Sequence, residues 1–287
     1  MAAHAVHAVG PAGSGLAHLS VGGEGGGLFV AAPGAGAVLT ESEEKGDELV
    51  EVANTEGTPV AVAFNPKGSM YVADLAHGAV MNWADDGAPH LVVREYEGTA
   101  FKGPSALLFD TNGTLYFTDS GPLGEGGLSD PSGSVFCISG PADAQILRPL
   151  ALNCLAHPCG LAVSPDQSVL YVCEMMANRL LRFAQRPAGV FHPSVFVQFS
   201  GRMGPSAVVC DHARGGLLYV ARYDLSDCAT DGVVSVVDTD GKVVKEVSVP
   251  GAEVSGLAIG PEGDVLFVSE ASTNTVYRIP LPLVDDA

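Results

Sequence analysis

Short apolar runs separated by polar turns recur along the whole chain. Six of them align with one another and begin 45–54 residues apart. In chain order they are GSGLAH (13–18), PVAVAF (59–64), PSALLF (104–109), PCGLAV (158–163), PSAVVC (205–210) and VSGLAI (254–259). Self-similarity at such a period is typical of a repeat architecture, in which each unit buries its apolar face against its neighbours.

Each repeat contains further apolar runs that read as strands. The second runs are LFVAA (28–32), MYVAD (70–74), LYFTD (115–119), LYVCE (170–174), LYVAR (218–222) and LFVSE (266–270). A third run follows a polar loop, and a less regular fourth run follows in the first five repeats. The runs are four to six residues long and rich in Val, Leu, Tyr and Phe, which favours β-strands.

Four strands in each repeat predict one blade of a β-propeller. We therefore expect an all-β, six-bladed β-propeller with four antiparallel strands per blade, formed as a single domain by residues 1–287. The last repeat has only three strands, and HAVHAV (4–9) is expected to supply the fourth and close the ring. A β-sandwich with coincidental spacing is the alternative, but six aligned blocks over the whole chain disfavour it.

Composition narrows the function more than the fold. The 287 residues include 36 Gly and 19 Pro, and 47% are hydrophobic, which argues against both a helical bundle and a disordered chain. The formal net charge is −19 and no Lys/Arg cluster occurs, so nucleic-acid binding is not expected. Neither a signal peptide nor a membrane-spanning run is evident, and the cytoplasm is the expected location. The six cysteines are expected to be free thiols.

Three blocks carry a resemblance to known proteins. They are FNPKGSMYVAD (64–74), FDTNGTLYFTDSG (109–121) and HPCGLAVSPDQSVLYVCEMMANRLLRF (157–183). They resemble strictosidine synthase-like proteins and the neighbouring gluconolactonase/regucalcin and NHL-repeat groups. The resemblance implies a six-bladed propeller whose site lies at one mouth of the central channel, where the innermost strands begin. Fold alone does not transfer an activity, which depends on the residues at that mouth.

The resemblance also implies which side chains a bound metal ion would need at this mouth. The similar lactonases hold a divalent cation at this mouth with Glu, Asn and Asp side chains, the oxygen ligands that hard cations prefer. Here Cys159 occupies the family's asparagine step, and Ser14 and Ser206 occupy comparable positions. A thiol is a poor ligand for Ca²⁺ or Mg²⁺. We therefore expect neither a bound metal nor another cofactor.

Two sets of residues are candidates for catalysis. Glu253 lies near the start of the sixth inner strand, where strictosidine synthases are thought to use a Glu, although a solvated loop carboxylate is the alternative. His157 and Cys159 are two positions apart and Glu174 ends the adjacent strand, which allows a Cys-His-acid arrangement. The alternative for Cys159 is an inert buried thiol.

The remaining candidates form a ring around the channel mouth. The inner strands contribute Ser14, Ser105, Ser206 and Ser255, and the ends of the second strands contribute Asp74, Asp119, Arg222 and Glu270. His77 and Asn178 lie in the loops that follow the second strands. The acids either cap backbone N–H groups of nearby turns or create a negative field that attracts cations or basic ligands. The loops 121–133 and 223–232 are longer than the others and are expected to stand at the same mouth.

Two functions remain open from the sequence. The favoured one is a module that binds a small molecule or a protein at the channel mouth, without the lactonase metal. The alternative is a metal-independent small-molecule enzyme, a strictosidine synthase-like hydrolase or condensing enzyme. A deep, partly apolar cavity beside titratable groups would favour the enzyme.

Overall fold

The protein is described here by a computed structural model that covers residues 5–23, 25–42, 48–83, 87–141 and 144–284. Within these ranges the chain is almost entirely β-strand and turn, with three short 3₁₀ turns and no α-helix. No helix in them has the length and apolar character needed to cross a membrane. The all-β class expected from the periodic apolar runs is confirmed.

The strands follow one another with short connections. In chain order they are β1 (Ala5–Val9), β2 (Leu19–Gly22), β3 (Gly27–Ala32), β4 (Ala37–Glu41), β5 (Leu49–Asn54), β6 (Pro59–Phe64), β7 (Met70–Asp74), β8 (Ala79–Trp83), β9 (Pro89–Val93), β10 (Glu95–Tyr96), β11 (Thr99–Ala100), β12 (Pro104–Phe109), β13 (Leu115–Asp119), β14 (Gly133–Ser139), β15 (Ile146–Leu155), β16 (Pro158–Val163), β17 (Val169–Glu174), β18 (Arg179–Arg186), β19 (Val190–Gln198), β20 (Gly204–Asp211), β21 (Leu217–Tyr223), β22 (Asp231–Val237), β23 (Val243–Pro250), β24 (Val254–Ile259), β25 (Val265–Glu270) and β26 (Thr275–Pro280).

Six antiparallel sheets of four strands form the blades. Blades 1 to 5 are β2–β5, β6–β9, β12–β15, β16–β19 and β20–β23, and blade 6 has the order β1-β26-β25-β24. The pairing of β1 with β26, in which Ala5 lies opposite Arg278, confirms that the N-terminal strand completes the sixth blade. His4, the first residue of the expected strand, lies outside the described residues. A small hairpin, β10–β11, was not expected from the sequence.

The six first strands line the centre. Each contacts the first strand of the next blade, and β24 contacts β2, so the strands form a closed ring. The buried apolar side chains of the described residues fall into six clusters, one between each pair of neighbouring blades. Each blade therefore buries its faces against its two neighbours, which is what the apolar runs of the repeat require.

One expected strand is wrong. The segment 13–18 was predicted as the inner strand of the first blade, but that strand is β2, which begins at Leu19. Gly13 and Gly15 have φ angles of 80° and 59°, a left-handed backbone that an extended strand does not adopt. The apolar residues Leu16 and Ala17 had made this turn look like the other inner strands.

Candidate functional site

A cavity of about 240 Å³ opens where the innermost strands begin. We call it the front cavity. Its wall combines apolar side chains with hydroxyl, thiol and imidazole groups, contributed by Ala17, His18, Val60, Leu75, Ser105, Gly121, Leu123, His157, Cys159, Met175, Ser206, Tyr223 and Ser255. Gly121 and Leu123 come from the first of the two long loops, and Tyr223 ends β21, directly before the second. The first loop therefore reaches this mouth, as the sequence predicts, and the second begins directly after a lining residue.

The serines of the inner strands join neighbouring blades. Ser206 Oγ donates to the carbonyl of Val254 at 2.6 Å, and Ser255 Oγ donates to the carbonyl of Leu16 at 2.6 Å. Ser105 Oγ donates to the carbonyl of Pro158 at 3.0 Å in the same way. In each case the acceptor belongs to the next blade. These hydroxyls are at the channel, as expected, but their protons are used to hold the ring together.

Ser14 does not belong to this ring. Its side chain is buried and its hydroxyl donates to the carbonyl of Pro11 in the preceding turn. Each of these serines bonds the residue directly before the equivalent position of the next blade. Ser255 bonds Leu16, so Ala17 is the equivalent residue of blade 1. The expectation that Ser14 lines the channel rests on the incorrect strand at 13–18 and is corrected to Ala17.

The acids at the ends of the second strands are buried caps. Asp119 accepts from the backbone N–H of Gly103 at 2.8 Å, and Glu174 accepts from that of Ala156 at 2.8 Å. Glu270 accepts from the backbone N–H of Glu253 at 2.9 Å. Each donor lies just before the inner strand of the same blade. The acids therefore fix the loops that lead into the channel, which matches the structural alternative of the sequence analysis.

Blades 2 and 5 vary this arrangement. In blade 2, Asp74 Oδ1 accepts from the backbone N–H of His77 at 2.9 Å and contacts its ring Nδ1 at 3.0 Å. In blade 5, Arg222 is 3% exposed and its guanidinium lies 4.2 Å from the ring centroid of Phe199. The guanidinium also donates to the carbonyl of Gly201 at 3.0 Å. Asn178 donates to the same carbonyl at 2.9 Å. These polar groups therefore stabilise turns within the blades.

The three residues of the possible Cys-His-acid arrangement are not connected. Cys159 Sγ donates to the carbonyl of Pro205 at 3.3 Å, and burial raises the pKa of the thiol to about 12. Glu174 accepts from Arg179 Nε at 2.5 Å, in addition to its backbone cap. The structure brings His157 and Cys159 to one cavity and directs Glu174 elsewhere. The geometry therefore does not support a Cys159 thiolate activated by His157 and Glu174.

His157 brings an unsatisfied ring nitrogen to the front cavity. Its side chain is 8% exposed and its Nδ1 is buried without a hydrogen-bond partner. Burial lowers the pKa of the imidazole to about 4, so the ring is neutral at pH 7. Its φ of 58° lies in the left-handed region, directly before β16 begins at Pro158.

A tyrosine and a carboxylate meet at the lip of the cavity. Glu253 directly precedes β24, as the resemblance implied, and its Oε1 accepts from the backbone N–H of Ser226 at 3.3 Å. Tyr223 lines the cavity and lies near the Glu253 carboxylate. Burial, together with the charge of Glu253, raises the pKa of Tyr223 to about 12. The pair places one partly accessible carboxylate beside the cavity.

The lining does not suit a hard divalent cation. It contributes serine hydroxyls, a thiol, imidazoles and a phenol, but no Asp, Glu or Asn side chain. Over the described ranges, no three His, Cys, Asp or Glu side chains are grouped as metal ligands. Ca²⁺ and Mg²⁺ take six or more oxygen ligands, usually including carboxylates. The residues present at this mouth therefore do not fit the cation that the lactonase resemblance implies.

Several residues of the wall escaped the sequence analysis. Tyr223 directly follows Arg222, the candidate at the end of the second strand of blade 5. That neighbouring position was the signal from which Tyr223 could have been predicted. His18 was hidden by the incorrect strand at 13–18. Leu75, Leu123 and Met175 carry no chemical motif, and only the fold brings them to the cavity.

These features define a class, the six-bladed β-propellers with a cavity at the mouth of the central channel. The family model described as the SMP-30/Gluconolactonase/LRE-like region matches residues 24–272. The chain belongs to this family.

Curated relatives and solved structures agree with this assignment. Lactonase drp35 of Staphylococcus aureus is 28% identical over 206 residues, which are 69% of this chain and 59% of that protein. The chain thus matches less than two thirds of that relative. Protein STRICTOSIDINE SYNTHASE-LIKE 6 of Arabidopsis thaliana is 34% identical over 154 residues, 50% of this chain and 40% of that protein.

Two solved structures share the fold. A gluconolactonase from Xanthomonas campestris has a TM-score of 0.75 at 21% identity, with 98% of this chain and 96% of that chain covered. A calcium-binding regucalcin from Agrobacterium tumefaciens has a TM-score of 0.73 at 18% identity, with 92% and 89% covered. At these identities the likeness concerns the fold. The named relatives favour a small-molecule enzyme over a non-enzymatic module.

Proposed function

We propose that this protein is a small-molecule hydrolase that opens an uncharged, largely apolar ester or lactone in the front cavity without a bound metal. One observation carries the proposal: the cavity combines an apolar wall with a neutral imidazole that has an unpaired nitrogen, beside the Tyr223–Glu253 pair. Apolar cavities with a few convergent polar groups are the usual form of small-molecule sites. Lactonase relatives support the reaction class.

The apolar wall supports the substrate class. Val60, Leu75, Leu123 and Met175 surround the polar groups, and Leu123 is 44% exposed at the entrance. A polyhydroxylated sugar lactone would lose its hydrogen bonds with water here without finding replacements, which costs free energy. An alkyl or aryl substituent gains by burial instead. The net charge of −19 further disfavours an anionic substrate.

The roles of the polar residues follow from their protonation. Neutral His157 accepts the proton of a water molecule as the water oxygen attacks the acyl carbon. Tyr223 donates its hydroxyl to the carbonyl oxygen of the substrate and stabilises the negative charge that develops there. The tetrahedral intermediate collapses, the acyl–oxygen bond breaks, and His157 returns its proton to the leaving alkoxide. Water is added across the ester, and the groups of the protein are regenerated.

The test is a hydrolysis assay with 4-nitrophenyl butyrate, δ-decalactone and D-glucono-δ-lactone, each with EDTA and with added Ca²⁺. We expect the two apolar substrates to be cleaved faster than the sugar lactone, at rates that EDTA leaves unchanged. Activity that appears only with Ca²⁺, or is confined to the sugar lactone, would contradict the proposal.

Variants assign the roles. His157→Asn keeps a residue that tolerates a left-handed backbone, so the fold should persist while the base is lost. We expect kcat/KM to fall about 100-fold, the lower range for loss of a general base. Glu253→Gln should reduce kcat/KM by a smaller factor because it removes the charge near Tyr223 but keeps a polar side chain there. Glu262→Gln, in an exposed turn between β24 and β25, is the matched control and should change nothing.

The second candidate is the binding module that the sequence favours. The observation behind it is that the ring serines and the second-strand acids already have partners, which leaves few groups free for chemistry. Saturable binding of δ-decalactone with no turnover, unchanged by His157→Asn, would support the module and reject the hydrolase.

A further inference from the structure

The two loops 121–133 and 223–232 carry apolar side chains into solvent at the front mouth. We call them the front loops. Among the described residues, the large exposed apolar side chains that lie outside strands are all on these loops: Leu123 is 44% exposed, Leu128 73% and Leu225 45%. The others lie on outer strands of the blades. Single exposed apolar residues are ordinary, but a group of them at one mouth, surrounded by polar residues, is typical of an interaction surface.

The charged side chains of the front loops are all acidic. The first loop contains Glu125 and Asp130, and the second contains Asp224, Asp227 and Asp231. Neither loop contains Lys or Arg. Glu125, Asp130 and Asp227 are exposed, like the leucines beside them. The field over these loops therefore attracts cationic groups and repels anionic ones.

Two basic side chains from outside the front loops hold the ends of the loops. Lys102, which precedes β12, donates from Nζ to the backbone carbonyl of Ser132. Arg202, which precedes β20, donates from Nη1 to the backbone carbonyl of Asp231 at 2.6 Å. Over the described ranges neither cation forms an ion pair with an acid of the front loops. The carboxylates of the loops thus keep their charge available to a partner.

Backbone hydrogen bonds order the segments that carry the leucines. Gly127 and Asp130 each donate a backbone N–H to the carbonyl of the other, at 3.4 and 3.2 Å, and Leu128 lies in the turn between them. The carbonyl of Leu225 accepts from the backbone N–H of Cys228 at 2.8 Å. A surface that is ordered before it binds loses less conformational entropy in the complex.

We propose that the front loops are a docking surface for a basic amphipathic segment of a partner protein. Apolar side chains of the segment cover Leu123, Leu128 and Leu225, and its Lys and Arg side chains face the acids that surround them. The leucines supply affinity through burial, and the acids select the partner by charge.

Charge also decides between the partners that an apolar surface could bind. An anionic lipid surface attracts basic segments and repels acidic ones, so these loops do not suit it. A polyanion such as nucleic acid is disfavoured for the same reason. A protein segment with alternating apolar and basic side chains satisfies both features of the front loops. The proposal does not depend on hydrolysis in the front cavity.

The test is a titration of the protein with a fluorescent amphipathic helical peptide of leucine and lysine, followed by anisotropy. Oligolysine keeps the charge without the apolar face, and a leucine–glutamate peptide keeps the apolar face with the opposite charge. We expect the leucine–lysine peptide to bind at one site per chain, at least about tenfold more tightly than either control, because apolar burial and charge act together. Added salt should weaken the binding. No binding, or equal binding of oligolysine, would overturn the proposal.

Apolar variants locate the site without changing its charge. Leu128→Ser combined with Leu225→Ser should weaken peptide binding about tenfold or more, because two apolar contacts are lost. Leu91→Ser combined with Val52→Ser, at similarly exposed positions of the outer strands β9 and β5, is the matched control and should change nothing. Equal losses in both pairs would reject the front loops as the site.

Charge variants separate the front loops from the acidity of the whole chain. Glu125→Gln combined with Asp227→Asn should weaken peptide binding about fivefold, since exposed charge pairs contribute modestly. Glu262→Gln combined with Asp240→Asn removes the same charge from exposed turns of the opposite mouth and should leave the affinity unchanged. If both pairs weaken binding equally, the peptide responds to the net charge of −19 and the proposal is wrong.

A vesicle experiment examines the membrane directly. Co-sedimentation with phosphatidylcholine vesicles that contain phosphatidylserine should show no binding. Vesicle binding that Leu128→Ser with Leu225→Ser abolishes would assign the leucines to a lipid surface and reject the proposal. Circular dichroism verifies that each variant is folded. Because the readout is peptide affinity, its failure is distinct from failure of the hydrolysis assay.

Discussion

The second-strand acid Glu270 and His157 of the front cavity are both buried polar side chains, but their hydrogen bonding differs. Glu270 is fully buried and accepts hydrogen bonds from two backbone N–H groups and two hydroxyls. His157 is nearly as buried and has a ring nitrogen with no partner. A satisfied polar group stabilises the fold, whereas an unsatisfied one costs free energy that a ligand can recover. The partners of a polar residue, more than its type, separate structure from function here.

The largest effect is expected at the capping acids. Glu270→Ala leaves the backbone N–H groups of Glu253 and Thr273 without their acceptor in a buried loop. We expect the free energy of unfolding to fall by about 4 kcal/mol, since each buried unpaired donor costs about 1–3 kcal/mol. Urea denaturation followed by circular dichroism measures the loss.

Two controls qualify that result. Glu270→Gln keeps one acceptor oxygen and should lose about half as much stability. Glu262→Ala removes an exposed carboxylate in a turn and should change stability by less than about 0.5 kcal/mol. If Glu270→Ala were as stable as the wild type, the acids at the ends of the second strands would not be structural, and their charge would be available for ligand binding.

The unpaired histidines predict a pH dependence. The pKa values of His18 and His157 are lowered from about 6.5 to about 4 in the folded protein. Between those values the unfolded chain binds more protons than the folded one, so stability is lost as pH falls below about 6.5 and is fully present above it. At pH 5 each histidine should cost about 2 kcal/mol relative to pH 8.

The variants His18→Leu and His157→Asn isolate these contributions. Each should show a smaller loss of unfolding free energy between pH 8 and pH 5 than the wild type, by about 2 kcal/mol. His77→Ala is the control, because that side chain is 44% exposed. Identical pH profiles for wild type and both variants would mean that the imidazoles are solvated and that the front cavity does not shield them.

The sequence predicted the blades better than the site. Blade strands repeat an apolar pattern every 45–54 residues, and that pattern reports burial directly. It failed at 13–18, where Gly13 and Gly15 form a turn although the neighbouring residues are apolar. That single error of register moved a candidate from Ala17 to Ser14 and concealed His18.

Site residues were harder because a motif does not reveal hydrogen-bond partners. Cys159 and Glu174 were correctly placed on adjacent strands, yet the first bonds the carbonyl of Pro205 and the second bonds Ala156 and Arg179. The position of Glu253 before β24 was predicted, whereas its contact with Tyr223 depends on two loops from different blades. Contacts between blades depend on the closed ring, which short-range patterns do not encode.

The inter-blade serines should show a moderate effect. Ser206→Ala removes the hydroxyl that donates to the carbonyl of Val254 at 2.6 Å and leaves this acceptor buried. We expect a loss of about 1 kcal/mol in unfolding free energy, the net value of one hydrogen bond. Thermal denaturation checks it, with Ser139→Ala on the outer part of blade 3 as the matched control. An equal loss of unfolding free energy in both variants would show that the serine hydrogen bonds between blades have no special role in stability.

The smallest effect is expected at Cys159. Its thiol occupies the position that serine holds in blades 3, 5 and 6, and it bonds the next blade in the same way. Cys159→Ser should therefore leave kcat/KM for 4-nitrophenyl butyrate within about twofold and keep the bond to Pro205.

Because burial raises the pKa of Cys159 to about 12, very little thiolate is present at pH 8. Iodoacetamide followed by peptide mass spectrometry should label the exposed Cys154 and Cys228 and spare Cys159. Rapid labelling of Cys159, together with loss of activity in the serine variant, would show an activated nucleophile and place the thiol with the functional groups of the cavity rather than with the structural ring.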